Sequence, residues 1–314
     1  MTVPGRPWPK ALFLGIVSSL FFSVTYLING AMAQSGGDWL WSASLRYLWM
    51  LPILLLLTAP HRGWRRVAAE VGRAPGRWLL WSLVGFGLFY APLAFASAYG
   101  PSWMVAGTFQ FTILAGALET PLFRNPDGTR QKVPLRLLPA FAVMIAGVFL
   151  LQLDHVQRNT PAGAVVFAVP VLLSAFAYPL GNRKTMQLCQ ERLTATERIL
   201  AMTACSLPLW LVLAGAGFVR SGWPSSMQMV QALVVAVSSG AVATIVFFHA
   251  THLVCRTPHR LALVESTQCG EVVFSLLGSM VLLHDAWPGR AGWLGLALVT
   301  GGMIVNPLLA AERH

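Results

Sequence analysis

What most constrains this chain is its division into apolar blocks of about twenty residues, the length a helix needs to cross ~30 Å of hydrocarbon. Ten blocks can be drawn: Ala11 to Ala33, Leu40 to Thr58, Trp78 to Tyr99, Trp103 to Phe123, Leu137 to Leu153, Gly163 to Leu180, Ile199 to Val219, Met229 to Val254, Leu261 to Leu283 and Gly292 to Ala310. Lipid offers no hydrogen-bond partner to an open strand edge or a bare loop, so each block is expected to be a helix. Only 11% of the residues are charged, against about 25% in a soluble globular chain, which argues against a soluble fold. The expected class is an all-α membrane protein of ten transmembrane helices. Trp8, Trp39, Trp78, Trp103, Trp223, Trp287 and Trp293 fall at or near block ends, where amphipathic rings settle. The first block is not followed by a cleavage pattern and soluble sequence, so it reads as a retained helix and not as a signal peptide.

A formal net charge of +11 would suggest nucleic acid if it clustered on one soluble face. Instead it follows the blocks. Eighteen Lys and Arg residues fall in alternate connections and at the termini, on one side. The other side holds three, Arg158, Arg220 and Arg290, and Arg46 lies inside a block. Short cytoplasmic loops retain positive charge, so both termini are expected in the cytoplasm of a bacterial-type inner membrane, with no nucleic-acid partner. Cys189, Cys205, Cys255 and Cys269 show no paired spacing, so neither a disulfide framework nor a metal site is expected.

The two halves of the chain align with each other. Thr25-Tyr26-Leu27-Ile28-Asn29-Gly30 resembles Ala177-Tyr178-Pro179-Leu180-Gly181-Asn182, and Met50-Leu51-Pro52 resembles Ser206-Leu207-Pro208. Val105 to Gln110 lines up with Leu263 to Gln268, and Ile145 to Val148 with Thr300 to Met303. The offsets are 152, 156, 158 and 155 residues, nearly one register across four pairs of blocks. Five spans per copy is an odd number, so the second copy (157–314) must lie inverted relative to the first (1–156). Inverted repeats are common in secondary transporters, whose site lies between the copies near the midplane.

On these repeats, the short Gly100-Pro101-Ser102 connection and the Gly-rich last block of each copy, the chain resembles the drug/metabolite transporter superfamily. Within it the likeness is to the ten-span EamA-like exporters and the multidrug resistance efflux transporters, over nearly the whole chain. The resemblance implies a bundle around a central cavity, alternating access, and export of small organic molecules driven by an ion gradient. It departs from the related four-helix multidrug proteins, which use a carboxylate in the first helix. Neither the first nor the sixth block here contains Asp or Glu.

Ionisable groups inside spans cost about 2.5 to 3.5 kcal/mol each on insertion scales, so they mark candidate sites. Glu265, Gln268 and Glu271 follow one another at i+3 on the ninth block and should face the cavity. Either carboxylate is a candidate for proton coupling; the bland reading pairs it with a neighbouring His or Arg. His249 and His252, on the eighth block, are candidate proton-relay partners or packing residues, and with Cys255 they make an unconvincing metal site. Arg46 admits two readings, attraction of an anionic group or snorkelling to the outer surface. Glu119, near the inner end of its block, is expected to be neutralised by Arg124 or Arg136 and to be structural. Tyr26, Asn29, Tyr178 and Asn182 occupy equivalent places in the repeats and, with Gln110 and Gln268, are candidate cavity-lining residues. Phe109, Phe111, Trp103 and Phe274 would add apolar wall.

No phosphate-binding Gly-Lys-Ser loop is present, so ATP is not expected as the direct drive. The function these residues suggest is a proton-coupled exporter of small amphipathic or cationic molecules, with no cofactor, whose partners are the solute, protons and the bilayer. An importer or facilitator of the same fold is the nearest alternative. A membrane-embedded lipid-modifying enzyme is more remote, because inverted repeats serve a transporter and not an enzyme.

Overall fold

The computed structural model describes residues 8–123, 129–131, 133, 138–158, 160–190, 192–254, 260, 263–264 and 266–311, and its regular structure is helical. Helices α1 (Trp8–Gln34) and α2 (Trp39–Thr58) meet at a tight turn. There Asp38 Oδ1 accepts the Leu40 amide at 2.9 Å, satisfying one of the orphan donors of a helix start. α3 (Gly63–Arg73) is a short amphipathic helix that buries Val67 and Glu70. α4 (Pro75–Ser82) and α5 (Leu88–Ala96) are joined through a wide π-type turn at Leu83–Gly87. α6 (Ser102–Phe109) and α7 (Thr112–Leu118) are separated by a break at Gln110 and Phe111. α8 (Leu138–Arg158) ends the first half.

In the second half α9 (Pro161–Cys189) is followed by α10 (Ala195–Ser221). Thr194 and Glu197 open α10 with a reciprocal capping box. α11 (Ser226–Val235) and α12 (Thr244–His252) are joined by a second wide turn at Ala236–Ala243. A short 3₁₀ turn at Thr267–Cys269 leads into α13 (Gly270–Leu282), and α14 (Arg290–Ala311) closes the chain. Among the described residues six helical stretches are long and apolar enough to cross a membrane: Trp8–Gln34, Trp39–His61, Pro75–Ala96, Pro161–Cys189, Ala195–Ser221 and Ser226–Thr251. Ser102–Leu118, Leu138–Asp154, Thr267–Leu282 and Arg290–Val305 are apolar but shorter.

Two boundaries differ from expectation for a physical reason. The sixth block was expected to stop at Leu180, yet α9 runs on through Arg183 and Lys184 to Cys189. Arg183 donates to the Gly116 carbonyl and Lys184 to the Leu122 carbonyl at 3.1 Å, so both charges are accommodated along the helix. The connection after Thr58 contains α3, held by ion pairs that hydropathy does not reveal.

Packing interleaves the two halves. α14 lies along α8, α10 along α2, α5 along α9, and α1 along both α12 and α13. Without a hydrophobic drive between helices in lipid, close crossing depends on small residues and van der Waals contact. A Cβ on Gly181 would collide with the backbone of Gly85, and one on Gly295 would stand 2.7 Å from the Gly147 carbonyl oxygen. Hydroxyls return to their own helix, as Ser18 to the Gly15 carbonyl at 2.7 Å and Thr185 to that of Gly181 at 3.0 Å, which lets polar residues sit in apolar spans. At the second wide turn Thr244 Oγ1 donates to the Ser239 carbonyl at 3.2 Å, five residues back, meeting an oxygen that the wider winding presents. The core centres on Tyr47, stacked on Trp210 at 4.2 Å and edge-on to Tyr90 at 5.6 Å, which locks α2, α5 and α10 together.

Candidate functional site

A cavity of about 500 Å³, a size typical of small-molecule sites, lies between the halves. α1 contributes Thr25 and Tyr26, α2 contributes Arg46 and Tyr47, and α9 contributes Tyr178, Asn182 and Arg183. The breaks in the helices supply the rest. Phe86 belongs to the first wide turn and Phe89 to the helix it opens, Ser239 and Gly240 come from the second wide turn, Gln110 from the α6–α7 break, and Gln268 from the 3₁₀ turn before Glu271. Wide turns shift the facing of the residues that follow and recur at functional sites in helices.

Glu271 sits in the first turn of α13, where the helix dipole favours a negative group. Tyr26 donates its hydroxyl to Glu271 Oε2 at 3.2 Å, across the boundary between the halves. The buried Gln110 side chain lies beside the same carboxylate, and its amide nitrogen has no partner among the described residues. Gln268 donates to Ser18 Oγ at 3.1 Å. Phe109 and Phe89 stand 6.0 and 4.8 Å from the Tyr178 ring, so an aromatic wall faces the carboxylate's end of α1.

Arg46 does not snorkel. Its residue surface is 7% exposed, its guanidinium lies 4.2 Å over the Tyr90 ring, and Nη1 is 3.5 Å from Thr25 Oγ1. Its Nε has no partner, and no carboxylate within ion-pair distance is found among the described residues. The face of Tyr90 is attractive to a cation but carries no full counter-charge.

Of the residues expected at the cavity, Tyr26, Arg46, Gln110, Tyr178, Asn182, Gln268 and Glu271 all line it. Asn29 does not: it is buried and accepts the Tyr90 hydroxyl at 3.0 Å, a turn further along α1. His249 is exposed and is not a lining residue. Glu265 and Cys255 lie outside the described residues, as does the side chain of His252. Phe109 lines the cavity, whereas Trp103, Phe111 and Phe274 do not. Glu119 is buried at the end of α7, and its expected partners Arg124 and Arg136 lie outside the described residues. Arg183 and Arg198, counted in the sequence as loop charges, prove to be lining residues. The i, i+4 spacing of Tyr178 and Asn182 was the signal that α9 continues on the same face toward Arg183.

Each end of the bundle is closed by contacts between the halves. At the end bearing most of the basic residues, Arg192 donates from Nε and Nη2 to the two oxygens of Glu70, each at 2.7 Å, and Arg73 adds a bond at 2.9 Å. These bonds, above all those from Arg192, hold Glu70 below the usual carboxylate range. Arg66 meets Glu197 at 2.6 Å. At the opposite end Asp285 accepts from Gln34 Nε2 at 2.7 Å and from the Ser102 amide at 3.1 Å. Burial there outweighs those bonds and pushes Asp285 up.

An apolar helical bundle enclosing a polar, charged, aromatic-walled cavity is the architecture of a membrane transporter. The chain belongs to the EmrE family, described as "Putative multidrug resistance efflux transporter", whose sequence model matches residues 9–312. It is 44% identical to "Uncharacterized protein YjlA" of Bacillus subtilis (strain 168) over 97% of this chain and 96% of that one. It is 46% identical to an "Uncharacterized 42.1 kDa protein in intracellular alkaline protease 3'region" of Shouchella clausii, over 83% of this chain and 70% of that one. A solved crystal structure of a protein 13% identical superposes with a TM-score of 0.63, covering 97% of this chain and 99% of that chain, so the fold is shared.

Proposed function

We propose that the protein is a secondary active transporter that exports a small amphipathic solute through this cavity by alternating access, coupled to proton movement at Glu271. The observation that carries the reading is Glu271 itself: a carboxylate in a cavity shared by both halves, bonded to Tyr26 of the other half and flanked by Gln110. The other titratable groups near it are Tyr178 and Cys269. A buried acid whose polar neighbours are one tyrosine hydroxyl and the side chain of Gln110 is suited to taking up and releasing a proton as the cavity changes its exposure.

The same reading has ten membrane spans in two inverted five-helix repeats, residues 1–156 and 157–314, with the basic end and both termini cytoplasmic. The contact pattern supports it. Exchanging α1 with α9, α5 with α12, and α6 and α7 with α13 turns α1 on α12 into α9 on α5, and α1 on α13 into α9 on α6 and α7. The pairs α2 on α10, α6 on α13 and α8 on α14 map onto themselves. The wide turns at Leu83–Gly87 and Ala236–Ala243 and the breaks at Gln110 and Thr267–Cys269 also correspond. Such a relation lets the two halves rock about a fixed site.

The test is solute flux in proteoliposomes under an imposed pH gradient, with the wild type and Glu271→Gln compared in both orientations. Gradient-driven flux is expected in the wild type and lost in the variant, while solute exchange without a gradient survives. Equal gradient drive in both proteins overturns the coupling, and uphill flux only toward the basic end overturns export.

A further inference from the structure

The charges around the cavity are unequal. Arg46, Arg183 and Arg198 line it, against the single carboxylate of Glu271 among the described residues. Arg46 is the informative member. A guanidinium buried to 7% exposure, with an unpartnered Nε and with Tyr90, Tyr47 and the Thr25 hydroxyl around it, lacks among the described residues the anionic partner that buried charges ordinarily have. Its planar fork is shaped for a bidentate anion. Glu271 does not fill that role, since it is taken by Tyr26 and forms no ion pair with Arg46.

We infer that the transported solute carries a carboxylate on a ring-sized apolar body, and that the carboxylate docks on Arg46 while the body lies against Phe89, Phe109 and Tyr178. This rests on the cavity being the transport site. The cavity volume of about 500 Å³ suits one such molecule. Arg183 and Arg198 have contacts of their own, so Arg46 is the guanidinium left for the solute, and one guanidinium favours a monoanion over a phosphate dianion, which needs more compensating charge. The inference also bears on coupling. A carboxylate that also bears an ammonium group can place it at Glu271 and displace the proton, the exchange that proton-driven export requires, and a plain carboxylate serves as the binding probe.

The experiment is the melting temperature of the purified, detergent-solubilised full chain with matched ligands, since a ligand that binds the folded state alone raises it. The probes are carboxylates from benzoate to 3-(2-naphthyl)propanoate, their primary amides, the corresponding alkylammonium ions, and phenyl phosphate. A rise with at least one carboxylate, absent with its amide and ammonium counterparts, is expected. It should vanish in Arg46→Gln and fall about tenfold in affinity, without vanishing, in Arg46→Lys, which keeps the charge and loses the fork. The wild-type panel decides the matter even where Arg46→Gln does not fold. Stabilisation by ammonium ions or phenyl phosphate in preference to every carboxylate, or no carboxylate response, overturns the inference. Glu271→Gln should keep the carboxylate response: if carboxylates bind but no gradient drives flux, the transport reading fails alone, and if flux of ammonium probes is driven while carboxylates are ignored, this inference fails alone.

Discussion

The two halves of the molecule agree in backbone and disagree in charge. Each has a wide turn in its third helix and a break in its fourth, and each presents a tyrosine, Tyr26 or Tyr178, to the cavity. Yet at the register that places Gln110 opposite Gln268, the counterpart of Glu271 is Ile113, also a lining residue, and at the register that places Met50 opposite Ser206, the counterpart of Arg46 is Met202. On the transport reading proposed above, matching backbones would let the two halves move alike, while unmatched side chains leave the cavity, among the described residues, with one acid, Glu271, and with Arg46 lacking an acidic partner. On that reading motion and chemistry are encoded separately: helix breaks would set the first, and isolated charges the second.

The sharpest way to break that comparison is to move the acid. Glu271→Gln should lower gradient-driven flux by about 100-fold, the scale on which a positioned proton-transfer group acts. Adding Ile113→Glu places a carboxylate on α7, which packs against α9 where Tyr178 lies. If the halves are mechanically equivalent, the double variant regains roughly a tenth of the lost flux. No recovery, in a double variant that melts like the single one, would mean that the tyrosine-bearing faces are not interchangeable.

A smaller effect probes the backbone half of the comparison. Gly181 crosses Gly85 so closely that any Cβ meets main chain, whereas the matching position in the first half is Asn29, which uses its side chain to accept from Tyr90. Gly181→Ala should therefore destabilise by about 2 kcal/mol, as overpacking does, and lower the melting temperature. Asn29→Ala removes one buried hydrogen bond and should cost about 1 kcal/mol. A reversed order of the two would show that the α5–α9 crossing relaxes.

Much of this was legible in the sequence because it repeats: block length predicted helices, and the shared register predicted that Tyr26, Tyr178, Gln110 and Gln268 would meet. What failed was non-local. Arg46 lies near enough to a span end to suggest snorkelling, and only the arrival of Tyr90 from α5 turns it inward. Asn29 was placed with Tyr26 because both have like residues at equivalent places in the other repeat, but three residues lift it ~4.5 Å along the helix axis, out of the cavity. Arg183 and Arg198 were counted as loop charges because hydropathy ends a span at the first guanidinium, even where the helix continues. The wide turns left no clear trace, since each lies wholly inside an apolar block and contains no proline. The counting of basic residues, by contrast, needed no contact to be known.

The two ends offer a gentler test. In each, a carboxylate of one half reaches the other: Glu70 of the first half to Arg192, and Asp285 of the second half to Gln34 and Ser102. Glu70 is held low, so its stabilisation is complete above its unfolded value and is lost as pH falls through the folded one. Glu70→Gln should cost about 0.5 to 1 kcal/mol at neutral pH, discounted because Arg192 is largely exposed, and the cost should shrink below about pH 4.

Asp285 has the opposite sign. Its folded value is raised, so the folded contact binds a proton more readily than the unfolded chain does, and its contribution is present at low pH and lost as pH rises through the folded value. Asp285→Asn keeps an acceptor for Gln34 and Ser102 without the desolvated charge. Because the group is only half-buried, the change should be a few tenths of a kcal/mol, about neutral in acid and slightly stabilising at alkaline pH. Acid should thus loosen the Glu70 end and tighten the Asp285 end. Accessibility of the single cysteines Gly72→Cys and Ser35→Cys, neighbours that leave both contacts intact, measured across pH 4 to 8, would show opposite slopes; parallel slopes would mean that the ends do not respond as opposites.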